Sequence, residues 1–89
     1  MHAVVTTKHR GVFAGTVELE DGDVVTMTGA RMCVSWSRIT HGVLGLAAQG
    51  PNKDCRIGPA VPCIRLRDVT AVIEMSDTAW AAWEAEPWT

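Results

Sequence analysis

The sequence predicts a mainly β domain of the α+β class: a small β-roll or barrel of about six short strands with one C-terminal helix. Three observations predict it. Val12–Glu20 alternates, with Phe13, Val17 and Leu19 on one side and Thr16, Glu18 and Glu20 on the other, the period of a half-buried strand. Asp21-Gly22 follows directly, and Gly supplies the positive φ that a tight hairpin needs. Eight Gly and four Pro in 89 residues supply the turns of a β-rich fold rather than a helical bundle. The length fits one domain, residues 1–89. A chain this short buries roughly 60–65% of its unfolded surface, so it gains from oligomerisation.

In chain order, Ala3–Thr7 is β-prone and short, an expected edge strand, and Lys8-His9-Arg10-Gly11 interrupts it. Gly15, in mid-strand, implies a bulge or a close backbone approach. Val24–Thr28 returns from the hairpin with Val25 and Met27 inward, and Gly29 kinks the path into the next strand. In Gly29–Arg38, Met32, Val34 and Trp36 share one face and Arg31, Cys33, Ser35 and Ser37 the other. Val43, Leu44, Leu46 and Ala47 lose the period of two and fit a short helical turn near 43–49, ended by Gly50-Pro51. Two prolines keep Cys55–Pro62 extended. Ile64 and Leu66 alternate with Arg65 and Arg67, a half-buried strand, and the nearly continuous apolar run Val69–Met75 predicts a more central strand. Ser76 then caps a helix over about 76–86. Asp77 complements its N-terminus, Ala79, Trp80, Ala82 and Trp83 form its apolar stripe, and Pro87 stops it.

The formal charge of −2 conceals an asymmetry. Residues 1–67 hold all eight Lys and Arg against five acids; residues 68–89 hold five acids and no Lys or Arg. Within 31–67, six basic residues face Asp54 alone. That layout draws an anionic ligand to one side, or lets the two parts complement each other within or between chains. Sustained DNA binding is not expected of a chain with net negative charge. Cys33, Cys55 and Cys63 form no CxxC pair, and His2, His9 and His41 lack finger spacing, so neither a metal nor a cofactor is expected. Reduced thiols, with no signal peptide and no membrane-length apolar run, point to the cytoplasm.

The order GVFAGTVELEDGDVVTMTGARMCVSWS, a short apolar segment ending LAAQGP, then CRIGPAVPCIRLRDVTAVIEMSDTA and a tryptophan-bearing end resembles a family of small phage- and prophage-encoded proteins of unknown function. The resemblance covers nearly the whole chain and transfers no active site. Its context implies an accessory protein of the kind that binds or blocks host components. Among these are sponges, small oligomers that sequester the nucleotide signals of host defence.

No catalytic pattern stands out. The histidines lack the paired His-x-Thr/Ser motif of two-histidine phosphoesterases, nothing marks Ser35 or Ser37 as a nucleophile, and Gly42–Gly45 and Gly45–Gly50 lack the Lys-Ser/Thr of a phosphate loop. The chain is therefore expected to be no enzyme. The basic and aromatic set is the candidate ligand site: Trp36, Arg38, His41, Lys53, Arg56, Arg65 and Arg67. Arg binds phosphate in planar, bidentate fashion, and an aromatic ring stacks a base. Trp36 itself reads either as core or as a ligand or interface residue. Trp80, Trp83 and Trp88 are candidate interface residues, since a small monomer struggles to bury all three rings and Trp is enriched in hot spots. The expected function is sequestration of a small anionic ligand, such as a cyclic nucleotide, by a homo-oligomer. The alternative is a module that grips a host or virion protein through its Trp-rich C-terminus.

Overall fold

A two-residue link makes the sheet curl. The computed structural model describes residues 1–87, with strands β1 (His2–Thr7), β2 (Val12–Asp21), β3 (Val24–Ser35), β4 (Arg56–Ile57), β5 (Val61–Leu66) and β6 (Val69–Glu74). A 3-10 turn (Arg38–Thr40) and helix α1 (Gly42–Ala48) follow β3, and helix α2 (Asp77–Ala85) follows β6. All pairings are antiparallel. β3, β2, β1 and β6 lie side by side, and β4 and β5 pair with β3. Thus β5 and β6 lie at opposite sides of the sheet yet are joined only by Arg67 and Asp68. Five flat strands at ~4.8 Å spacing would hold them ~19 Å apart, whereas three Cα steps reach only ~11 Å. The sheet therefore rolls until the two sides meet, where Lys8 N donates to Asp68 O and Val69 N to Asp23 O, both at 2.9 Å.

The roll gives the sheet two buried faces. Inside it, Ala3, Val5, Val25, Met27, Ala30 and Leu66 pack with Phe13, Val17, Ile64, Val69 and Val72, all from strands. Outside it, Val4, Val12, Ala14, Cys33 and Ile57 pack against Leu46 and Ala47 of α1 and Ala79 and Trp83 of α2. β1 contributes to both, so Ala3, Val4 and Val5 are all fully buried. This corrects two expectations. β1 is an internal strand between β2 and β6, and the apolar run of β6 lies at the sheet's margin; curling covers that run, which periodicity alone assigns to the centre.

The predicted hairpin forms between β2 and β3, closed at Asp21–Val24 around Gly22-Asp23. Gly15 meets the expected close approach: the register shifts between Ala14 and Thr16, and a Cβ on Gly15 would lie 2.9 Å from the Cα of Ala30. Residues 56–66 run along one side of β3, broken near Pro59, with Gly58 N donating to Met32 O at 2.9 Å.

Two devices seat α2. The Ser76 hydroxyl accepts from Ala79 N at 3.0 Å, an N-cap, and donates to Ala48 O of α1 at 2.7 Å. Gly50, at φ 85°, comes so close to α2 that a Cβ would stand 2.6 Å from Ala82 Cβ.

Candidate functional site

β3 leaves the roll at its C-terminal end, and five of the seven predicted ligand residues gather there. Trp36 follows the last residue of β3, Arg38 opens the 3-10 turn and His41 links that turn to α1. Arg56 lies opposite Ser35 in the register, and Lys53 sits in the loop just before it. All five are exposed. A polar network holds the loops beneath them. Ser37 Oγ donates to Asp54 Oδ2 at 3.2 Å, Asp54 N to Asn52 Oδ1 at 2.9 Å, and Asn52 Nδ2 to buried Thr40 Oγ1 at 3.0 Å. Cys55 Sγ lies 3.4 Å from Thr40 Oγ1. Burial, and then the neighbouring Cys55, push the Cys33 thiol up to about 12, so it stays protonated near neutrality and is no ready nucleophile.

Arg65 and Arg67 do not join this group. Arg65 pairs with Thr26, nine residues along β3 from the Ser35–Arg56 pair, a span of up to ~30 Å of extended strand. Arg67 sits in the β5–β6 link beside Asp68, whose carbonyl meets Lys8. The 31–67 cations are thus split between two ends of the roll, because the β5 pass carries the chain back along β3.

The burial of β3 decides between the core and surface readings of Trp36. Cys33 packs into the helix-covered core outside the roll, while Met32 (38% exposed), Val34 (58%) and Trp36 (38%) leave an open apolar strip, with Ile39 (58%) beyond it. These side chains follow the inner face of the roll past the point where β2 and β5 cover it. Trp36 is therefore no core residue. Trp83 is one, at 1% exposure, with Nε1 donating to Leu46 O at 3.1 Å; the turn of α2 that faces α1 buries it and removes it from the interface set. Trp80 is half-buried, stacked on His2 with ring centroids 4.0 Å apart. Trp88 lies outside the described residues.

A second feature escapes the sequence reading. A cleft of about 470 Å³ opens between α2 and the outer face of β2 and β3, with Thr16, Thr28, Arg31, Trp80, Glu84 and Glu86 among its walls. Arg31 Nε donates to Gly58 O at 2.8 Å, and Nη1 donates to Trp83 O and Glu86 O, both at 2.6 Å. A cation at a helix C-terminus satisfies its last carbonyls and complements its dipole. The only sequence signal for this was the parity that puts Arg31 on the Cys33 side of the strand.

A family model described as a domain of unknown function (DUF6948) matches residues 1–83. The chain belongs to that family. No curated protein and no solved structure matches the chain. The DUF6948 region ends on Trp83 and so takes in both cores, the exposed end around Trp36 and most of the cleft's lining. Among the described residues no three His, Cys, Asp or Glu stand together as a metal site, and no helix is long and apolar enough to cross a membrane.

Proposed function

We propose that this DUF6948 member is a non-enzymatic accessory protein of phage type that sequesters a small anionic ligand, a signal nucleotide of host defence, in the host cytoplasm. The observation that carries the reading is the grouping of Trp36, Arg38, His41, Lys53 and Arg56 at one end of the roll with Asp54 among them, its carboxylate held by Ser37. Three cations and an available indole are the parts that phosphate and base require. Charge-assisted hydrogen bonds contribute ~1.5–3 kcal/mol each, so this end suits a phosphate-bearing ligand better than the α2 cleft, where two glutamates flank one arginine.

One chain leaves this end open to water. A second copy laid over the Met32–Val34–Trp36–Ile39 strip would enclose the ligand between two sets of cations, so the reading includes a homo-oligomer. Incubation with cyclic and linear nucleotides, followed by thermal shift and analysis of ligand released by heat, tests it. The expected result is a raised melting temperature with at least one nucleotide, recovery of that nucleotide intact, and a light-scattering mass of at least twice 9.6 kDa. Chemically altered ligand would make the protein an enzyme instead, and no shift with any nucleotide would remove the ligand reading.

The same strip favours a second reading, a module that binds a host or virion protein. Four exposed apolar side chains in one run are unusual for a small monomer. The grip then comes from Trp36 and its neighbours rather than from Trp83, which is buried. Crosslinking from position 34 or 39 to a specific partner, competed by no nucleotide, is the outcome expected of it; exclusive self-crosslinking refutes it.

A further inference from the structure

The cleft under α2 is built for a different ligand from the one proposed at the Trp36 end. Its floor is small: Ala14, Gly29 and Ala60 leave the room. Its volume, about 470 Å³, falls within the range of small-molecule sites, roughly 300–1,000 Å³. The Trp80 ring, backed by the imidazole of His2, gives it a fixed aromatic wall. The Thr16 side offers a hydroxyl, while the Thr28 hydroxyl is already turned toward Glu18, to which it donates at 2.9 Å.

The charges in the cleft come in opposite signs and are held apart. Arg31 is fixed by three hydrogen bonds through Nε and Nη1 to backbone carbonyls. Those bonds use neither the Glu84 nor the Glu86 carboxylate. Among the described residues Nη2 makes no hydrogen bond, which leaves its two N–H donors on a guanidinium already fixed in place. Glu84 and Glu86 line the cleft near the C-terminal end of α2 and bring two acidic residues to it. A polyanion meets two negative charges here, and a simple cation meets Arg31. A ligand carrying both signs satisfies both.

We infer that the cleft binds a short zwitterionic peptide of about two residues, with its carboxylate at Arg31 Nη2, its ammonium at Glu84 and Glu86, and an apolar or aromatic side chain against Trp80. A free amino acid shares this chemistry but fills less of the volume.

The test uses the full chain, the dipeptide Ala-Phe as probe, and its N-acetylated and C-amidated forms. Indole N–H resonances, assigned by single Trp substitutions, report which ring responds. Ala-Phe is expected to shift the Trp80 resonance saturably and leave that of Trp36 in place. Blocking either terminus should weaken binding by about tenfold or more, as loss of a charge-assisted hydrogen bond does. Glu86→Gln should weaken the free peptide but not the N-acetyl form, a difference that a merely structural effect would not produce. The inference is overturned if Ala-Phe gives no saturable shift at Trp80, or if the doubly blocked peptide binds as well as the free one. Altering the peptide rather than Arg31 keeps the readout separate from folding, because Arg31 also anchors α2. A nucleotide that fails to bind at Trp36 leaves this result untouched, and the reverse also holds.

Discussion

Trp83 and Trp36 are the same side chain under opposite constraints. Around Trp83 the demands are met within the chain: the ring is packed between α1 and the sheet, its N–H reaches Leu46 O, and Arg31 holds its carbonyl and that of Glu86. Around Trp36 the strand has run past β2 and β5, with only the two residues of β4 beside it, so apolar side chains and cations stand together in solvent. The first region holds the fold together. In the second, the Trp36 ring and the Arg38, Lys53 and Arg56 side chains have no hydrogen-bond partner among the described residues. On the function proposed above, the core around Trp83 serves stability and the β3 end serves the anionic ligand, and substitutions of Trp83 and Trp36 should separate accordingly.

The largest expected effect is on the stabilising side. Trp83→Ala leaves a cavity and an unpaired Leu46 carbonyl, and truncating a buried Trp costs ~3–5 kcal/mol. Chemical denaturation should show a loss of that size, or a chain that no longer folds. A loss below about 1 kcal/mol would mean that the helix-covered core does not carry the fold.

Next comes a pH effect confined to the same core. Burial and Cys55 raise the Cys33 thiol from 9.0 to about 12. A group whose folded pKa is raised contributes stability that is complete below its unfolded pKa, and this stability is lost as pH rises through the folded one. Stability should therefore fall between pH 9 and 12, by an amount on the order of a few kcal/mol at most. Cys33→Ala should flatten that part of the profile, and an unchanged slope in the variant would assign it to other groups.

Ser76→Ala comes third. It removes the cap bond to Ala79 N and the bond to Ala48 O, and loss of such a cap costs ~0.5–2 kcal/mol. Thermal denaturation should register it, and Ser76→Asp should recover the cap but not the link to α1, because an ionised carboxylate accepts from Ala79 N and cannot donate to Ala48 O.

These local features were legible because each rests on neighbours in sequence. The Asp21-Gly22 turn, the alternation of β2, the Ser76 cap and the stripe of α2 all follow from short-range spacing. What was not legible depends on long-range closure. β1 reads as an edge strand because its six residues show no burial on two faces until the roll forms. Arg65 reads as a companion of Arg56 because the cations of 31–67 face Asp54 alone, and only the antiparallel pass shows that the nine positions between them become distance along β3. Arg31 has only its parity in β3 to mark it, since its partners at Gly58, Trp83 and Glu86 lie 27 to 55 residues away.

The smallest expected stability effect falls on Trp36, the ring that the proposed function sets against the ligand. Trp36→Ala truncates a side chain beyond the end of β3 that neither core includes, and surface changes of this kind usually stay within roughly ±0.5 kcal/mol. Its melting temperature should match that of the parent, while affinity for a nucleotide that the parent binds should fall, since base stacking contributes ~1–3 kcal/mol per base. Arg56→Gln should show the same split through phosphate rather than base, with a steeper dependence on salt in the parent than in the variant. Trp80→Leu provides the control: it should leave nucleotide binding intact, because that ring belongs to the α2 cleft. A Trp36→Ala protein that melts several degrees lower and binds normally would put this ring on the stabilising side with Trp83. The division of labour between the two ends of the sheet would then be gone.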